Sequence, residues 1–162
     1  MFTVGLLTVS DKGAAGDRQD TAAPALKNLL DPRCFEVRRY QIVPDEYEDI
    51  VAALVSWSDK DKLDLILTAG GTGPAPRDIT PEATLAVAER LVPGIAEAMR
   101  AAGLAKTPHA MLSRGAAVIR GSTLIINLPG SRKGAVESLE AILPALPHAL
   151  EKIKGSPADC GT

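Results

Sequence analysis

The chain has 162 residues, enough for one ordinary domain whose core needs no disulfide or metal staple. Its 18 Lys+Arg and 20 Asp+Glu leave a formal net charge of -2 at pH 7, without the basic excess of a general nucleic-acid binder. Hydrophobic residues make up 46% but aromatics only 3%, so the core is aliphatic and stacking platforms for single-stranded nucleic acid are lacking.

Residues 3–9, Thr-Val-Gly-Leu-Leu-Thr-Val, form a near-continuous apolar run suited to a strand buried on both faces. Polar, Gly-containing residues 10–19 read as a long loop. A short helix follows, with Asp20 or Thr21 near its cap, Leu26, Leu29 and Leu30 facing inward, and Pro32 ending it. A second strand covers 35–42 and runs out at Val43-Pro44-Asp45. The next helix begins near Asp45 or Glu46 and carries Ile50, Val51, Leu54 and Trp57 at helical spacing.

A central strand over 63–68 leads directly into Gly70-Gly71-Thr72-Gly73, and Thr80-Pro81-Glu82 opens a helix because proline fits the first helical position. Pro93-Gly94 separates that helix from another over 94–104. Two strands, 116–120 and 123–128, are split by Gly121-Ser122, and the second ends at Asn127-Leu128-Pro129-Gly130. Val136, Leu139, Leu143, Leu146, Leu150 and Ile153 then recur three or four residues apart, an amphipathic helix that Pro144 and Pro147 must kink or divide. Residues 1–154 read as one domain and 155–162 as a frayed tail.

This alternation predicts an α/β fold: a three-layer sandwich with a mainly parallel central sheet. Ligands of such folds bind outside the C-terminal ends of the strands, near a switch in strand order. Attention therefore falls on the loops at Ser10-Asp11, Pro44-Asp45, Gly70 and Pro129-Gly130.

Other classes recede. No apolar run approaches the roughly 20 residues of a membrane helix. Lys12, the first basic residue, lies behind the apolar N-terminus, the reverse of a signal peptide, so a cytoplasmic protein is expected. Cys34 and Cys160 make neither a disulfide framework nor a zinc motif, and His109 and His148 are isolated.

The Gly70–Gly73 loop is open to two readings. It is a tight strand-to-helix turn, or a nest of amide N–H groups that receives phosphate. It matches neither Gly-x-Gly-x-x-Gly nor a Walker loop. Asp45 and Asp78 each follow a different strand, so a parallel sheet can bring both to one rim. Magnesium favours one or two carboxylates plus substrate phosphates and waters, and two such acids suit phosphoryl or nucleotidyl transfer. The plain alternatives are helix capping by either acid, or an Asp78–Arg77 pair. Ser10-Asp11 could bind a ligand or simply shape its turn. The helix after Pro129-Gly130 could receive an anion, with Arg132 and Lys133 adding to its field. Ser113-Arg114 is a further polar pair in a loop. Arg38-Arg39 reads as surface charge and Cys34 as a spectator thiol.

The run Gly-Gly-Thr-Gly-x-x-x-Arg-Asp-x-Thr-Pro-Glu-Ala-Thr, from Gly70 to Thr84, resembles the signature of the MogA/MoaB family of molybdopterin-binding proteins. Leu7-Thr8-Val9-Ser10-Asp11, Val43-Pro44-Asp45, Met111-Leu112-Ser113-Arg114 and Ile125 to Gly130 agree with it in the same order, as does the ending Leu143 to Leu150. The resemblance implies a molybdopterin-binding-protein fold and a molybdopterin adenylyltransferase of molybdenum cofactor synthesis. Such an enzyme transfers AMP from Mg-ATP to the terminal phosphate of molybdopterin and releases pyrophosphate. By correspondence Asp45 bears on molybdopterin and Asp78 on magnesium and nucleotide. Ser10, Asp11, Gly70, Gly71, Thr72, Gly73, Thr80, Ser113, Asn127, Pro129 and Gly130 match pocket positions. The family further implies a homotrimer and hand-over to a molybdenum-insertion enzyme. Ser131-Arg132-Lys133 departs from the Asn/Gln-Pro that commonly follows this Pro-Gly.

Overall fold

Alternating apolar residues on three short strands divide the core into two layers. Val4, Leu6, Leu65, Leu67, Leu124, Ile126 and Leu128 pack on one face of a sheet, while Leu7, Val9, Ile66 and Ile125 pack on the other. The period of two follows from the pleat, and each such fully buried side chain stabilises the fold by about 1.5–3 kcal/mol. The structure, a computed structural model, describes residues 1–157. The last five residues of the expected tail, Cys160 among them, lie outside these.

In chain order the elements are β1 (Phe2–Val9), α1 (Asp11–Ala14), α2 (Ala22–Leu29), β2 (Phe35–Val43) and α3 (Tyr47–Val55), which runs into a π-helical turn, Ser56–Lys60. Then come β3 (Leu65–Ala69), α4 (Thr80–Ala86), β4 (Arg90–Leu91), α5 (Pro93–Leu104) and a 3₁₀ turn, Pro108–Leu112. The chain continues through β5 (Ala117–Arg120), β6 (Thr123–Leu128), α6 (Arg132–Ile142), a 3₁₀ turn at Leu143–Ala145 and α7 (Leu146–Ile153). Both C-terminal prolines sit in the first turn of a new helical segment, where their missing N–H is harmless.

One six-stranded sheet has the order β2-β1-β3-β6-β5-β4. β2, β1, β3 and β6 are parallel, whereas β5 runs antiparallel to both β6 and β4. Helices α2, α5, α6 and α7 contribute to one core layer, and α3 and α4 to the other. The result is the expected three-layer sandwich. Strand order reverses between β1 and β3, because β1 is followed outward by β2 before the chain returns to β3. That reversal opens a crevice at the C-terminal strand ends.

Several local expectations change. Residues 10–19 are not all loop, since Ser10 Oγ accepts from the Gly13 N–H at 3.0 Å and caps the one-turn α1. The two-residue strand β4, exposed and short, carries no apolar alternation that could reveal it. At the far end of the sheet, buried Asp64 accepts from the Thr3 N–H at 2.8 Å and pairs with Lys154 at 2.7 Å. Lys154 also lies 5.3 Å from the Phe2 ring centroid, so the end of α7 is tied to β1. Beyond it, Ser156 N–H donates to the Glu151 carbonyl at 3.0 Å.

Candidate active site

The loops after β1, β2, β3 and β6 converge on two adjoining hollows of about 510 and 380 Å³. The smaller lies over β1 and β3 and takes in Ser10, Asp20, Asp45 and Gly70. The larger reaches from Thr72 and Gly73 to Met99 on α5, the Pro108–Leu112 turn and Glu137 on α6. Gly71, Asp78, Gly130 and Ser131 border both.

The Gly loop exists because only glycine fits its first two positions. Gly70 has φ +111°, and a Cβ there would stand 2.2 Å from the Val9 carbonyl oxygen. Gly71 has φ +65°, and its Cβ would lie 2.3 Å from Thr80 Oγ1 and 3.2 Å from Asp45 Oδ1. The loop backbone thus runs directly against Asp45. Thr80 itself is wholly buried behind Gly71, with its hydroxyl lacking a hydrogen-bond partner. A Cβ on Gly73 would meet Asp78 Oδ2 at 2.8 Å, which places the second acid against the other end of the same loop.

Neither acid caps a helix. Asp78 Oδ2 accepts from the Ala75 N–H at 3.0 Å and closes the turn that leads to α4. Asp45 Oδ2 accepts from the Asp11 N–H at 2.9 Å, while Asp11 Oδ1 accepts from the Asp45 N–H at 3.0 Å. Burial pushes the Asp45 carboxyl above the ordinary carboxylate value, and the charges of Asp11 and Asp78 act in the same direction. Hydrogen bonding from Arg77, joined by the Asp45 N–H, holds Asp11 below it. Arg77 does not pair with its neighbour Asp78. It reaches Asp11 at 2.7 Å and Glu46 at 2.8 Å instead.

The remaining expected residues fall into two groups. Ser10, Thr72, Ser113, Pro129 and Gly130 border one or both hollows. Asn127 borders the larger one, but its amide is spent internally: Nδ2 donates to Thr68 Oγ1 and Thr84 Oγ1, and Oδ1 accepts from the Ala116 N–H. It braces β6 against β3, α4 and the segment before β5. Asp11 borders neither hollow, and its carboxylate is taken up by Arg77 and the Asp45 N–H.

Two further residues hold the site together in ways the sequence does not reveal, for it offers Arg114 only as half of a polar pair within a motif and Asp20 only as a helix cap. Arg114 pairs with Glu82, donates to the Gly73 carbonyl at 2.8 Å and to the Asp78 carbonyl, and through its N–H reaches the Thr72 carbonyl at 2.8 Å. Asp20 Oδ2 accepts from Thr8 Oγ1 and from the Tyr40 hydroxyl, and its Oδ1 receives the first N–H groups of α2. Burial raises the Asp20 carboxyl, but these hydrogen bonds outweigh it and hold the group low, while Tyr40 is pushed up to about 12. A polar residue before a helix signals the cap, but nothing in the sequence signals the Tyr40 partner.

Two carboxylates on one rim suit a Mg²⁺ whose coordination is completed by substrate phosphates and water. Among the described residues, no group of three His, Cys, Asp or Glu could hold an ion on its own. Nor, among them, is any helix long and apolar enough to cross a membrane.

Residues 5–148 match the family model MoCF_biosynth, described as "Probable molybdopterin binding domain". The chain is 43% identical to a molybdopterin adenylyltransferase of Helicobacter pylori J99, over 94% of this chain and 88% of that one. It is 44% identical to the molybdopterin adenylyltransferase of Escherichia coli K12, over 88% and 74%. Among solved structures, the molybdopterin biosynthesis enzyme MoaB of Thermus thermophilus superposes with a TM-score of 0.92 at 60% identity, covering 98% of this chain and all of the other. A MogA structure gives 0.88 at 40% identity, over 93% and 99%. With its strand-end crevice, its Gly loop and these relatives, the chain belongs to the MogA/MoaB family of molybdopterin-binding proteins.

Proposed function

We propose that this protein is a molybdopterin adenylyltransferase of molybdenum cofactor synthesis. The observation that carries this reading is the position of Asp78, on the wall shared by two adjoining hollows, with Asp45 in one of them. A transfer between two substrates needs two binding spaces that meet at the reacting phosphorus, and most of its acceleration comes from alignment and electrostatics.

In this reaction a terminal phosphate oxygen of molybdopterin attacks the α-phosphorus of ATP. The new P–O bond yields adenylylated molybdopterin as the bond to the β-phosphate oxygen breaks and pyrophosphate leaves. Asp45 orients molybdopterin, and Asp78 holds the metal that accompanies the nucleotide. Bound Mg²⁺ supplies charge neutralisation at the phosphates. The Gly71–Gly73 backbone offers N–H donors close to the reacting groups, where fixed dipoles act at no reorganisation cost, while the Gly70 N–H is spent on the Leu128 carbonyl. No covalent nucleophile is required. Ser10, Ser113, Pro129 and Gly130 shape the pocket, Asn127 braces its wall through its internal bonds, and Asp11 and Thr80 support it from behind.

The working unit is residues 1–154, assembled as a homotrimer in the cytoplasm and passing its product to a molybdenum-insertion enzyme. Family membership supports this assembly, as does the exposure of Leu104, Met111 and Leu112 beside the larger hollow. Incubation with molybdopterin, Mg²⁺ and α-labelled ATP should yield adenylylated molybdopterin and pyrophosphate in equal amounts. Binding of molybdopterin without product would identify a carrier instead.

A further inference from the structure

We propose that Arg77 is a positioning residue, which sets the Asp45 carboxylate by clamping the loops after β1 and β2 to the Gly loop. Its guanidinium grips Asp11 with two parallel bonds, Nε to Oδ2 at 2.7 Å and Nη2 to Oδ1 at 3.0 Å. The same Nη2 reaches Glu46 Oε1 at 2.8 Å and the main-chain oxygen of Asp45 at 3.2 Å. Asp11 and Asp45 then exchange backbone N–H bonds to each other's carboxylates. Three segments far apart in sequence are thereby fixed by one planar fork, a geometry lysine cannot reproduce.

Where the fork does not go matters equally. Arg77 touches Asp45 only at its carbonyl, so the Asp45 carboxylate is placed without a side-chain cation on it. Its Oδ1 is left facing Gly71. Asp11 takes the cation, and so tolerates standing beside a second acid. Arg77 also sits on the turn that Asp78 closes, where the Asp78 N–H donates to the Ala75 carbonyl at 2.9 Å. The clamp therefore sets the separation of the two acids. Because the Arg77 side chain is 56% exposed, its ion pairs add little to stability, and a variant that lacks it should still fold.

The activity readout of this role rests on the adenylyltransferase reading, but molybdopterin affinity tests it under either outcome. Arg77→Ala and Asp11→Asn should each lower kcat by about 10- to 100-fold and leave the KM for ATP within about twofold. Each should also weaken molybdopterin binding by about tenfold. The double variant should be no worse than the poorer single, since both break one unit. Arg77→Lys should behave like Arg77→Ala. Multiplicative losses in the double variant, a raised KM for ATP at unchanged kcat, or wild-type molybdopterin affinity in both singles overturns the assignment. A wild type that binds molybdopterin without turnover defeats the adenylyltransferase reading alone, and the affinities then decide the clamp.

Discussion

Arg114 Nε donates to the carbonyl of Gly73 at 2.8 Å, from a loop 41 residues further along the chain. The same side chain holds the Asp78 carbonyl and pairs with Glu82, so it fastens the Gly loop to the start of α4. Arg114→Ala frees three loop contacts at an exposed site. Melting should fall by about 2–4 °C, while adenylylation falls by about tenfold or more because the reacting groups lose alignment. Thermal unfolding and initial rates on one preparation check both parts.

Asp45 presents a trade between stability and activity. Its folded-state pKa lies above its unfolded value of 3.8, so its ionisation weakens the fold as pH rises through the folded pKa. Asn keeps an acceptor for the Asp11 N–H without the charge. At pH 7 Asp45→Asn should melt about 1–4 °C above the wild type while losing activity. The gap should close as pH falls below the unfolded value.

Gly71→Ala places a methyl group 2.3 Å from the Thr80 hydroxyl at a φ of +65°. Strain and overpacking together predict a destabilisation of about 1–3 kcal/mol and displacement of the loop from Asp45. Denaturant titration reads the first, and molybdopterin binding reads the second. An alanine that leaves both unchanged would contradict the close approach.

The Asp64 carboxyl predicts an acid limb. Burial alone would raise it, but Lys154 and two hydrogen bonds from Thr3 hold it below 3.8. Its support for the fold is therefore complete above the unfolded pKa and is lost as pH falls through the folded one. Asp64→Asn should lower the melting temperature by about 2–6 °C at pH 7 and by much less near about pH 2. Melting curves across that range provide the check.

Chelation should separate fold from chemistry. With EDTA, adenylylation should stop and return on adding Mg²⁺, while the melting temperature stays put. Among the described residues no three acids, histidines or cysteines form an ion cage, and the Mg²⁺ of the proposed reaction would need substrate phosphates to complete its coordination. A melting temperature that drops on chelation would point to a structural ion.

Hydrophobic spacing, with its proline and glycine punctuation, determined the strands around Leu6, Ile66 and Ile125 and the helices that cover them, because burial imposes a local period of two or 3.6, and the resulting α/β alternation pointed to the strand-end rim where their loops gather. The Gly70–Gly73 motif likewise identified its loop, since the turn demands glycine at named positions. Tertiary structure alone decided the polar partners. Arg77 stands beside Asp78 in sequence yet grips Asp11, 66 residues away, and Asp45 takes the Asp11 N–H rather than capping its own helix. Asn127 sits in a pocket motif but spends its amide on Thr68, Thr84 and Ala116. A charged or polar side chain binds whichever group the packed backbone brings within about 3 Å, and that neighbour has no periodic trace in the chain. Hydrophobic order is written locally, whereas the electrostatics of this site arise only once β1, β2 and β3 lie side by side.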